Sequence, residues 1–134
     1  MAGKPDRLDV SPRFIEFVKE AKAQDRFLKD LANKEFFFLS LALGLNEKDK
    51  RPLTQREGFV RAEYLHESDM ALLKAVALSV TEDIAVVSST EQVFGIAEEF
   101  AMGGLDHFRE LVLEQPGSLV RKLSGLARKA CGKK

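Results

Sequence analysis

The sequence predicts a mainly α-helical domain: a compact bundle of about five to six helices with one or two short strands. Three observations predict it. The long apolar patterns repeat about every 3.6 residues. The alternating, strand-like stretches are short, Arg7-Leu8-Asp9-Val10 and Phe59-Val60-Arg61-Ala62-Glu63-Tyr64. A content of 45% hydrophobic and 31% charged residues suits a chain that folds, and a length of 134 residues leaves no room for a second sizeable core. Residues 1–134 are therefore expected as one helical domain, with 1–6 and 131–134 as frayed ends.

The first strand enters a helix through Ser11-Pro12, an N-cap followed by proline at the first helical position. Phe14, Phe17, Val18 and Ala21 then form its inner stripe. A second helical stretch is predicted over 25–43, with a break near Asn33 and Gly44 as its C-cap. Within it Phe36, Phe37 and Phe38 are consecutive, so they point about 100° apart and cannot share one face. Either this helix is covered on every side or these residues form an oligomer interface, and a homo-oligomer is expected on that ground.

The polar stretch 46–58 reads as an exposed loop around Pro52, and 59–64 as an edge strand. Ser68 is placed to cap a third helix over 69–80, whose Leu72, Leu73, Ala75, Val76, Ala77 and Leu78 are apolar on nearly every face. That pattern predicts a helix at the centre of the domain. Residues 84–87 fit a short strand or a buried connection, and Thr90 an N-cap for a fourth helix. Its inner face would carry Val93, Phe94, Ile96, Ala97, Phe100 and Ala101, leaving Glu91, Glu98 and Glu99 in solvent. Gly103-Gly104 is read as its end, with a fifth helix over 105–114. After the Gln115-Pro116-Gly117-Ser118 break comes a sixth, with Leu119, Leu123, Leu126 and Ala130 on one side and Arg121, Lys122, Arg128 and Lys129 on the other.

Charge is balanced in sum, 21 basic against 21 acidic residues, but not along the chain. Residues 1–61 hold 13 basic and 10 acidic, residues 62–114 hold 2 and 11, and residues 115–134 hold 6 and none. Such blocks either compensate one another within the fold or steer a charged partner to one face. The candidate nucleic-acid or partner-binding residues are therefore Lys48, Lys50, Arg51, Arg56 and Arg61 in the loop region and Arg121, Lys122, Arg128 and Lys129 in the last helix.

No phosphate-cradling glycine loop, zinc-ligand pattern or nucleophile elbow is present in the sequence, so neither a cofactor nor a metal nor a catalytic residue is expected. His66 reads as part of a capping segment, and His107 as a surface partner of Glu110. The lone Cys131 cannot form an intramolecular disulfide. With no secretory h-region at the start, and a longest apolar run interrupted by Ser40 and Gly44, a cytoplasmic protein without membrane contact is expected.

Several short strings together resemble the small Dnd system-associated proteins encoded beside bacterial DNA phosphorothioation and restriction genes. They are Phe36-Phe37-Phe38-Leu39-Ser40-Leu41-Ala42-Leu43-Gly44, Arg51-Pro52-Leu53, Glu67-Ser68-Asp69 and Lys74-Ala75-Val76-Ala77-Leu78. With them stand Glu98-Glu99-Phe100-Ala101-Met102-Gly103-Gly104-Leu105 and the Gln115-Pro116-Gly117 break, so the likeness runs over about 10–126. Members of that family more often carry asparagine where this chain has Met102, a departure that bears on the helix cap. The resemblance implies a setting in bacterial defence, with other proteins of a DNA-modification complex as partners and DNA as a further candidate, and it carries over no catalytic residue. The expected function is that of a non-catalytic accessory protein. The alternatives are a direct DNA-binding regulator and a small metal-dependent nuclease using the acidic residues between Glu63 and Glu114. The strand–helix–helix start is also similar to ribbon-helix-helix DNA binders, although their glycine-containing turn is missing at residues 23–25.

Overall fold

Four helices longer than a single turn and one two-stranded sheet make up the computed structural model, which describes residues 6–24 and 26–114. Strand β1 (Arg7–Val10) leads into α1 (Pro12–Gln24), a helical turn (Arg26–Lys29) and α2 (Asn33–Asn46). Strand β2 (Glu57–Arg61) follows, then a turn of 3-10 helix, α3 (Glu67–Thr81), a second 3-10 turn (Ile84–Ser88) and α4 (Thr90–Arg109), which continues as a π-helical turn (Glu110–Glu114). Ser11 caps α1 as expected, its hydroxyl accepting the Phe14 N–H at 3.3 Å.

The centre of the fold is the α2–α4 pair, which runs antiparallel: Phe36 stacks on Phe108 at 6.0 Å near one end, and Gly44 abuts Phe100 toward the other. Here the glycines work inside helices. A Cβ on Gly44 would overlap the Phe100 carbonyl, one on Gly104 the Ser40 carbonyl, and one on Gly103 the Asp49 carbonyl. The backbones therefore touch, and the buried Ser40 hydroxyl donates to the Ala101 carbonyl at 2.6 Å. This corrects two expectations. Gly44 does not end α2, which runs to Asn46, and Gly103-Gly104 does not end α4, so the expected fourth and fifth helices are one. Close packing holds both glycine positions helical where local propensity favours a break.

Burial of α2 on two sides also hides most of the phenylalanine run. Phe36 and Phe37 are fully buried within the single chain and Phe38 is half-buried, because α2 has α4 on one side and the sheet region on another. An interface built on Phe36 and Phe37 would have to draw them out of the core, so exposure gives them no reason to bind another copy. Phe14 and Phe17 extend the aromatic cluster, with ring centroids 5.2 Å from Phe59 and 4.9 Å from Phe108 respectively.

Strands β1 and β2 pair antiparallel, Leu8 opposite Val60, with an irregularity between Leu8 and Asp9. Because β1 finds its partner in the same chain, it is not set up as the free strand that a ribbon-helix-helix dimer would pair. Residues 84–88 form a 3-10 turn, neither the strand nor the buried connection expected, since only Val86 of them is buried and Ile84 is 70% exposed.

Helix α3 departs furthest from expectation. It lies on the flank, burying only Leu73 and Ala77, while Leu72 is 51% and Val80 39% exposed. It begins at Glu67 rather than after Ser68: Asp69 reaches back to accept the His66 N–H at 2.8 Å, and Lys34 of α2 joins the same carboxylate at 2.9 Å.

Candidate functional site

The loop between α2 and β2 is drawn onto α4. Asp49 N–H donates to the Gly44 carbonyl at 2.9 Å, and Arg51 N–H to the Glu99 carbonyl at 3.0 Å. This brings the loop arginines against carboxylates of the acidic half of the chain. Arg51 meets Asp49 at 3.2 Å and Asp106 at 3.4 Å, and Arg13 of α1 approaches the other oxygen of Asp106 at 3.2 Å. The Arg51 hydrogen bond and then that of His107 hold the Asp49 carboxyl below the usual carboxylate range, while Asp49 in turn raises Arg51. The His107 ring lies 3.1 Å from Asp49, which corrects the expected pairing with Glu110.

Arg56 makes the deeper contact. Its guanidinium stands 2.9 Å from Glu98 and 3.4 Å from Asp9, and the second oxygen of Glu98 accepts the Asp9 N–H at 2.7 Å. Glu98 is only 4% exposed, so the expectation of a solvated glutamate is overturned. The spacing carried the signal: Glu98 lies four residues after Phe94 and three before Ala101, on the buried stripe of α4. Burial pushes its carboxyl above the usual value, against the downward pull of the Asp9 N–H and Arg56. Both carboxylate oxygens are engaged, and the group acts as a bracket joining β1, the loop and α4.

The sequence-predicted cations therefore separate. Arg51 and Arg56 are paired internally, whereas Lys48, Lys50 and Arg61 are exposed and form no ion pair among the described residues. Arg61 borders an apolar hollow of about 540 Å³ with Phe59, Val60 and the 59%-exposed Tyr64. Arg121, Lys122, Arg128, Lys129 and Cys131 lie outside the described residues. Met102 is not at a helix cap; it is buried within α4, where its sulfur accepts the Ser11 N–H at 3.4 Å.

The fold adds a surface that sequence reasoning missed. Leu72 and Val80 lie two turns apart on the outer side of α3, with half-buried Val76 between them packed against the core, and Ile84 just beyond is 70% exposed. The exposed carboxylates Glu67, Glu82 and Asp83 stand at the two ends of this helix. No helix among the described residues is long and apolar enough to cross a membrane, and no group of three or more His, Cys, Asp or Glu side chains among them is placed to hold a metal ion.

These features define a small, mainly helical protein whose internal ion pairs brace its loops and whose flank presents an apolar helix face. The family described as DNA sulphur modification system-associated protein 4 matches residues 17–129, and the chain belongs to that family. No curated protein and no solved structure matches it.

Proposed function

We propose that the chain is a non-catalytic accessory protein of a bacterial DNA sulphur-modification and defence system that binds partner proteins. The observation that carries this reading is the outward face of α3. Large aliphatic side chains at Leu72, Val80 and Ile84 are left uncovered by the described residues, and an exposed apolar face with acidic ends suits contact with another polypeptide. Family membership supplies the setting, since its description associates it with a DNA-modification system.

A second reading, direct binding to DNA, is favoured by one observation: Lys48, Lys50 and Arg61 are exposed and unpaired among the described residues. Against it, Arg51 and Arg56 would have to leave carboxylates to reach a phosphate.

One set of measurements separates them. The chain is co-expressed with the proteins encoded beside it and the complexes are resolved by size-exclusion chromatography, with DNA binding measured in parallel against salt. The accessory reading expects a complex that Leu72→Ser with Ile84→Ser abolishes while the circular dichroism spectrum is unchanged. Absence of any complex, together with DNA affinity that falls steeply with salt and is lost on Lys48→Gln with Lys50→Gln, would replace it with the DNA-binding reading.

A further inference from the structure

The hollow beside β2 is bounded by residues 32–34 at the start of α2, residues 59–61 and Tyr64, and holds about 540 Å³. That lies within the roughly 300–1,000 Å³ of sites that take small ligands or single groups of larger ones. Its lining is apolar except for Asn33 and two cations, Lys34 and Arg61, and among the described residues it includes no carboxylate.

The two cations differ in what they already hold. The Lys34 ammonium reaches Asp69 at 2.9 Å and the Tyr64 carbonyl at 3.4 Å, which fixes the turn carrying Tyr64 against the start of α2. Arg61 stands directly opposite Arg7 in the ribbon, a like-charge pair that disfavours the strand pairing. Arg7 turns to Asp9 at 2.8 Å, and Arg61 is left with no counter-ion among the described residues.

The aromatic side chains are set beside that charge. Phe59 is the extra residue of β2 at the irregularity of the ribbon, between Gly58 and Val60, and its ring is held edge-on to Phe14 at 5.2 Å. The Asn33 amide donates to the Phe59 carbonyl at 3.1 Å, and its own oxygen has no partner among the described residues. Tyr64, the one tyrosine of the chain, is 59% exposed. A free guanidinium beside an open aromatic ring is the combination that holds single-stranded nucleic acid, the ring stacking on a base and the cation meeting the phosphate next to it.

We propose that this hollow takes an unpaired base of a single-stranded nucleic acid. The base lies against Tyr64 and Phe59, the Asn33 amide oxygen accepts from its edge, and Arg61 neutralises the adjoining phosphate. A base stacked within a duplex presents only its edges and cannot enter. A free nucleotide would have one cation and no phosphate-cradling loop to hold it, so a strand with further phosphates is the occupant. The inference goes beyond the accessory reading and does not depend on it, and it leaves Lys48 and Lys50 aside.

Binding of a labelled oligothymidylate to the full chain, followed by fluorescence anisotropy, tests the assignment against the matching duplex and thymidine monophosphate. The single strand should bind at least about tenfold more tightly than either. Tyr64→Ala should weaken it about tenfold with an unchanged circular dichroism spectrum, and Tyr64→Phe, which keeps the ring, should bind as the unaltered chain does. Arg61→Gln should reduce the salt dependence by about one phosphate contact, and Lys48→Gln with Lys50→Gln should leave the preference for the single strand intact. With one tyrosine and no tryptophan in the chain, quenching of the tyrosine emission by the oligothymidylate, corrected for its absorption, reads this site alone. No binding, equal affinity for the duplex or the monophosphate, or Tyr64→Ala without effect would each overturn the proposal. So would a Tyr64→Ala chain that binds the oligothymidylate normally but loses its complex with the co-expressed proteins, which would make the hollow a protein contact. The accessory reading is judged separately, by the Leu72→Ser with Ile84→Ser variant.

Discussion

Arg56 reaches Glu98 across 2.9 Å and shields a carboxylate that is only 4% exposed. The pair connects a loop of the basic first half of the chain to a helix of the acidic second half. Its value to the fold lies less in attraction than in leaving no buried charge uncompensated.

Arg56→Ala should therefore destabilise the protein by about 1–3 kcal/mol near neutral pH, less than for a fully buried pair because the Arg56 side chain is 52% exposed. The sign with pH follows from Glu98. Its folded carboxyl lies above the ordinary value of 4.5 because it is buried, and losing Arg56 removes a group that pulls it down. Ionised Glu98 thus opposes folding above its folded pKa, and protonation relieves this as pH falls toward 4.5. Urea unfolding across pH should show the Arg56→Ala deficit shrinking toward acid. A deficit independent of pH would mean that Arg56 contributes by packing alone.

Two glycines of α4 should respond to alanine with opposite signs. Gly104→Ala sets a methyl group against the Ser40 carbonyl and the Gly44 nitrogen, backbone atoms that move only if α2 and α4 separate. A loss of about 3 kcal/mol is expected. Gly95 has nothing within 4 Å of the added carbon, so Gly95→Ala should gain about 0.5–1 kcal/mol from helix propensity. Thermal melts of the two variants check the pair, and a stable Gly104→Ala protein would contradict the backbone contact.

How much was legible follows from these same residues. Amphipathic stripes located α1 and α4, and the Ser11-Pro12 pair marked the start of α1, because caps and periodicity are local signals. Gly44, Gly103 and Gly104 misled because a glycine that lets two helices touch has the same local propensity as one that ends a helix. Helix α3 misled for a related reason. Apolarity on nearly every face states that a helix needs cover, not that the described fold provides it. In the candidate site, charge counting found Arg51 and Arg56, but beyond the neighbouring Asp49 their partners Asp106 and Glu98 are 55 and 42 residues away, pairings that only the tertiary fold makes.

The start of α3 offers the last prediction, because one carboxylate holds it twice. Asp69 accepts the His66 N–H at 2.8 Å and the Lys34 ammonium at 2.9 Å, and these contacts, the backbone one first, hold its carboxyl below the ordinary value of 3.8. Asp69→Ala removes both and should cost about 1–2 kcal/mol, the sum of a lost cap and a half-screened ion pair. Asp69→Asn keeps an acceptor for the cap but loses the charge, so its cost should fall between that of alanine and zero. Because the folded carboxyl is depressed, the charge contribution is present above 3.8 and is lost as pH falls through the folded value. Wild type and Asp69→Asn should therefore converge in acid, while Asp69→Ala stays below both. Amide exchange at the first turn of α3 gives a local check, with faster exchange in Asp69→Ala than in Asp69→Asn. If the two variants lose equally at neutral pH and exchange alike, the Lys34 pair alone anchors this end of the helix and the reach back to His66 contributes nothing.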